Sequence, residues 1–136
     1  MGPEVAALAL LTVAALFGGM LLYSFGFAPF LFRTLKPETA GKLLRRAFPV
    51  YYLLTIAAAA LGALLIWLAG DGLSAVLLAL VALGAVAARQ GLMPAINAAR
   101  DAGDVAKGRF NSLHGASVAI NMVQLALVAW VLVRLA

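Results

Sequence analysis

Apolar residues fill four long stretches of this chain, and the charged ones gather between them. Pro3–Phe32, Val50–Ala69, Leu73–Ala88 and Leu113–Val133 are almost wholly hydrophobic. A helix needs roughly 20 apolar residues to cross the hydrocarbon core of a bilayer. The pattern therefore predicts an all-α fold, a polytopic membrane four-helix bundle with spans at about residues 4–32, 49–69, 73–93 and 112–133. Span 1 does not read as a signal peptide. Glu4 is its only charge, it has no basic n-region, and its apolar run exceeds the usual 7–15 residues or so.

The breaks between spans carry their own signals. Pro37-Glu38 reads as a fresh helix start, with proline in the first turn and an acid complementing the helix dipole. From Thr39 to Phe48 the apolar Leu43, Leu44, Ala47 and Phe48 face away from Lys42, Arg45 and Arg46, which predicts a helix lying on the membrane surface. Pro49 is expected to bend the way into span 2. Gly70-Asp71-Gly72 is short enough to make spans 2 and 3 antiparallel neighbours. The helical pattern of span 3 continues past Arg89 and Pro94 towards Ala102, with Gly103 as a stop and Asp104 as a cap for the last helix. Trp67 and Trp130 fit the membrane interface.

Charge adds an orientation. Nine of the ten Lys and Arg residues lie in two windows, Arg33–Arg46 and Arg89–Arg109, after spans 1 and 3. By the positive-inside rule these connections are cytoplasmic, and the N- and C-termini lie outside the cytoplasm. With 136 residues, 65% hydrophobic and 11% charged, four helices use the whole chain as a single domain, residues 1–136. The net charge of +5 flanks membrane spans, so the expected partners are anionic lipid headgroups and not nucleic acid. Without cysteine there are no disulfides, thiolate metal sites or thiol nucleophiles.

Polar residues inside the spans are the candidate chemistry. Asn111, His114, Ser117, Asn121 and Gln124 are spaced 3, 3, 4 and 3 and so share one face of span 4. Asn121 lies near the bilayer midplane, where an amide must face protein or water. Span 3 adds Gln90 and Asn97 with Arg89 beside them, and Arg89 either snorkels to the headgroups or points inward towards Tyr51, Tyr52 and His114. The span-4 face is either an interhelical hydrogen-bond seam or a wall of a solute pathway. One histidine cannot supply both axial ligands of a haem, and no span centre holds an acid. No cofactor, metal site or catalytic residue is expected, and no enzyme activity.

Two weaker patterns accompany these. Aligning Phe48 with Phe110 pairs Arg45 with Lys107 and Tyr52 with His114, a hint of an internal repeat. The small pairs Ala58/Gly62, Gly84/Ala88 and Gly115/Ala119 would let helices approach closely, within one bundle or between copies of a homo-oligomer.

Several of these residues also carry a family resemblance. The run Ala28-Pro29-Phe30-Leu31-Phe32-Arg33-Thr34-Leu35, then Ala40-Gly41 and Phe48 to Tyr52, resembles the first half of the transmembrane protein 205-like family. Pro94, the run Arg109-Phe110-Asn111-Ser112-Leu113-His114-Gly115-Ala116-Ser117 and Asn121 resemble its second half. The similarity extends from about Phe17 to Leu132. It implies a small four-span bundle and marks Pro29, Gly41, Phe48, Tyr51, Phe110, His114, Ser117 and Asn121 as motif positions. It brings no established substrate, only a lean towards export. The chain is shorter than the eukaryotic members between spans 3 and 4, which puts any role of that loop in doubt. A cysteine-free, Ala/Leu-rich chain fits a bacterial inner membrane. The expected function is small-solute binding or transport along the span-4 face; the alternative is a non-transporting scaffold or accessory subunit.

Overall fold

The computed structural model describes residues 2–136, and every long element among them is helical. Four helices account for nearly the whole chain: α1 (Pro3–Thr34), α2 (Pro37–Leu68), α3 (Gly72–Asp101) and α4 (Gly103–Leu135). At about 1.5 Å per residue each is some 45–50 Å long, against a hydrocarbon thickness of about 30 Å. All four are long and apolar enough to span a membrane.

Local chemistry sets the joints. Pro37 excludes the helical conformation from the residue before it, so Lys36 is extended and α1 ends at Thr34. Gly70, at φ +93°, turns the chain between α2 and α3. Asp71 then caps α3, accepting from the Ser74 amide at 3.2 Å and the Ser74 hydroxyl at 2.6 Å. The same carboxylate accepts from Arg134 at 3.0 Å and so ties the far end of α4 to this turn. Arg134 and Ser74 together hold the Asp71 carboxyl down at about 2. Gly103, at φ +72°, makes the last turn. Asp104 does not cap α4; it lies inside an opening 3₁₀ turn, Gly103–Ala106, and no side chain caps the helix there.

The helices pack as an antiparallel ring in which each touches the next and α4 closes on α1. Their common core comprises Ala9, Val13, Leu16 and Met20 of α1, Ala59 and Ile66 of α2, Leu78 and Val81 of α3, and Val128 and Val131 of α4. Gly62 is needed there: a Cβ on it would lie 3.0 Å from Leu78 Cδ1 and 3.5 Å from Val13 Cγ2. The outward surface is the opposite of a soluble protein's. Leu11, Leu22, Leu54, Leu64, Leu83 and Val123 are all at least half exposed. Apolar exposure on this scale along every helix suits lipid and not water, and marks an integral membrane protein.

One expected element differs. Thr39–Phe48 is not a separate surface helix but the first turns of α2, continuous through Pro49. Its apolar stripe, Ala40 and Leu44 with Phe48, packs on Leu31, Ala28 and Leu35 of α1. Protein covers that part of the face, while Leu43 stays exposed.

Candidate functional site

The bundle opens at its basic end into a cavity of about 570 Å³ to which all four helices contribute. Proline shapes its walls. Pro29 and Pro94 lack an N–H, so the carbonyl four residues before each loses its helical partner and the preceding turn widens. Both helices show the wide, π-type turn directly upstream, at Leu22–Phe27 in α1 and at Ala88–Leu92 in α3. Turns of this kind recur at functional sites because they re-aim side chains. The first brings Tyr23, Ser24 and Phe25 to the cavity wall.

A chain of hydrogen bonds crosses its inner part. The Tyr51 hydroxyl donates to Asn121 Oδ1 at 2.8 Å, and Asn121 Nδ2 donates to Ser24 Oγ at 2.8 Å. Three helices meet on this one amide, which has two of its hydrogen-bonding roles filled and others free. Around it the rings stack. Tyr23 lies on Tyr51 with centroids 4.1 Å apart, Phe48 on Tyr52 at 5.9 Å, and Phe110 on His114 at 5.8 Å. The Phe48/Tyr52 and Phe110/His114 stacks are the pairs that the internal alignment matched, and both line the cavity. The Tyr23 hydroxyl is buried without a partner among the described residues, an unmet donor in the wall.

The mouth is cationic. Arg45 of α2 makes a bidentate pair with Asp101 of α3, at 2.7 and 2.9 Å. Arg100 donates to the Gly41 carbonyl at 3.1 Å and lies over the Phe110 ring, 5.2 Å from its centroid. A Cβ on Gly41 would sit 3.1 Å from Arg100 Nη1, so the glycine makes room for that contact. No acid lines the cavity.

Of the residues expected to form the site, the fold brings five together here: Tyr52, Asn97, His114, Ser117 and Asn121. Four lie elsewhere. Gln124 is buried and crosses to α3, donating to the Val81 carbonyl at 2.9 Å. It passes over Gly84, where a Cβ would stand 2.9 Å from its Nε2. Arg89 is half-buried and does not line the cavity; its Nε donates to the Pro49 carbonyl at 3.3 Å. Gln90 and Asn111 are exposed and do not line this cavity. Sequence reasoning missed Tyr23, Ser24, Arg45 and Arg100. The signal for the first two was present, a Tyr-Ser pair inside an apolar span just before Pro29. Among the described residues no three metal-ligating side chains come together.

Residues 11–105, more than half of the chain, match a family described only as a domain of unknown function, DUF4149. The chain belongs to that family. The matched region covers α1 from Leu11 and all of α2 and α3, and stops short of the polar face of α4. No curated protein and no solved structure gives a significant match.

Proposed function

We propose that this DUF4149 protein binds a small solute within the membrane, in the cavity at the basic end of the bundle. The observation that carries the reading is the cavity's construction. A volume of about 570 Å³ is ample for a small molecule, its walls are largely apolar, and a few convergent polar groups (Ser24, Tyr51, Asn97, Asn121 and the two arginines) stand in it. Polar side chains at this depth are expensive unless they serve packing or a ligand. His114 and Ser117 make no side-chain hydrogen bond among the described residues, so their polar atoms are not spent on an interhelical hydrogen-bond seam.

In this reading the basic end faces the cytoplasm, because nine of ten cations lie there, and both termini lie outside. Anionic lipid headgroups would surround Arg33, Lys36, Lys42, Arg46, Lys107 and Arg109, all of them exposed. Copies would associate through the exposed Gly115/Ala119 pair of α4. The resemblance to transmembrane protein 205-like proteins fits this arrangement, and export from a bacterial inner membrane would be its use. The role needs no chemistry on the solute and no cofactor.

A second reading, a non-transporting scaffold, is favoured by Gln124, whose bond to α3 is a packing seam. Native mass spectrometry of detergent-released protein separates the two, with Ser117→Trp filling the cavity. A reproducible small mass carried by the wild type and lost in the variant is the expected result. A bare or lipid-only species in both would remove the solute reading and leave the scaffold.

A further inference from the structure

We propose that the cavity selects organic anions: a single carboxylate or phosphate head held by Arg100 at the mouth, and an apolar body among Phe48, Tyr52, Met93 and Met122. This rests on the solute-binding reading above and adds the class of the solute.

The charge count decides the sign. Two guanidinium groups and no carboxylate line the cavity. Asp101, just outside it, takes up Arg45 in the bidentate pair. Arg100 has no acid within salt-bridge distance among the described residues; its polar contact is the one Gly41 carbonyl. A guanidinium carries five N–H donors in a planar fork that fits carboxylate and phosphate oxygens. Most of that fork is unused, and the side chain is exposed. One net positive charge thus remains at the mouth, and one negative charge matches it.

The same lining disfavours cations. A cation would meet uncompensated positive charge at the mouth. Part of the ring surface that would otherwise hold it is already taken: Tyr23 and Tyr51 lie on each other, and Phe110 carries the Arg100 guanidinium. A wholly neutral apolar solute would make no use of the Arg100 fork. The wall also reaches the bilayer: Phe25 and Phe32 of α1 and Val118 of α4 line the cavity and are exposed. An anion with an apolar tail could therefore arrive from the lipid as well as from water.

The test uses the full chain in nanodiscs of phosphatidylcholine, with empty discs as background. Dodecanoate, dodecanol and dodecyltrimethylammonium share a tail and differ in head charge; 4-phenylbutyrate offers the anion in water-soluble form. Saturable dodecanoate or phenylbutyrate binding is expected, about tenfold or more tighter than the neutral and cationic probes. Dodecanoate binding alone would place the source in the bilayer, phenylbutyrate binding alone in water, and either supports the proposal. Arg100→Gln should remove the preference and Arg100→Lys should keep part of it, both with helicity checked. Binding that Ser117→Trp abolishes but that is equal for all three heads, or untouched by Arg100→Gln, would overturn the anion assignment and leave the solute site standing. No saturable binding of any probe would remove both.

Discussion

At the end of the bundle where Asp71 joins α2 to α3, every helix contributes side chains sealed from the surroundings. Val13, Ile66, Leu78 and Val131 are each 0% exposed. At the basic end the same four helices stand around a cavity, and α4 has no buried residue from Lys107 to Val123. Both ends use the same apolar alphabet. The difference shows in what stands against individual glycines. Gly62 and Gly84 let side chains of neighbouring helices cross at the sealed end, whereas Gly108 and Gly115 of α4 have nothing within 4 Å of where a Cβ would be. The polar face of α4 runs through both regimes. Gln124 lies where the helices are close and finds a backbone carbonyl on α3. Asn121, one turn earlier, bridges to Ser24 and Tyr51, and Ser117 and His114 open onto the cavity. A single helical face is thus a packing seam at one end and a cavity wall at the other.

The sharpest way to break this contrast is to overfill each end in turn. Gly62→Val drives a branched side chain into Leu78 and Val13 and is expected to destabilise the bundle by about 2–3 kcal/mol. It should leave solute binding at the basic end unchanged. Thermal unfolding in detergent reads the first and native mass spectrometry the second. A smaller change follows at the seam. Gly84→Ala pushes Gln124 off the Val81 carbonyl and should cost about 1 kcal/mol. An unchanged melting temperature would mean that the seam contributes nothing.

Asn121→Leu removes both bonds of the three-helix amide and should cost about 1 kcal/mol, since interhelical bonds in membranes average roughly 0.6 kcal/mol each. If it costs no more than Ser117→Leu, Asn121 belongs to the cavity and not to the packing.

A pH titration addresses the sealed end alone. Asp71 is held at about 2 against an ordinary 3.8, so its contribution is present above about pH 4 and is lost as the pH falls towards 2. The effect is small because the partner Arg134 is exposed to water. Arg134→Gln should flatten the dependence of melting temperature on pH across that window. Smallest of all is Ser117→Leu, which adds an apolar side chain to open space and should shift stability by less than about 0.5 kcal/mol. A large loss would show that the basic end is as tightly packed as the other.

The four helices were legible because membrane spanning needs only length and apolarity, both of which are read directly along the chain. Gly70 and Gly103 marked their turns for an equally local reason, a positive φ that glycine adopts freely. The candidate site was legible in part. Periodicity placed Asn111, His114, Ser117, Asn121 and Gln124 on one face, but it carries no measure of the distance to the facing helix. That distance separated Gln124 from the others. The surface helix expected at Thr39–Phe48 illustrates the same limit. An amphipathic stripe demands a cover, and the pattern is identical whether lipid headgroups or Leu31 and Leu35 of α1 provide it.

Arg45, Arg89 and Arg100 make the point most plainly. As residues in a sequence they are three cations beside membrane spans, equally suited to lipid phosphates. In the folded bundle one pairs with Asp101, one bonds the Pro49 carbonyl and one keeps a largely unused fork at the mouth of a cavity. The sequence by itself determined the class of protein, four apolar helices with basic connections, because partition into a membrane depends on composition summed over a segment. Only the tertiary structure decided which polar groups have partners. Hydrogen bonds and ion pairs need a few specific atoms within about 3 Å, and which atoms meet depends on how the four helices close around one another.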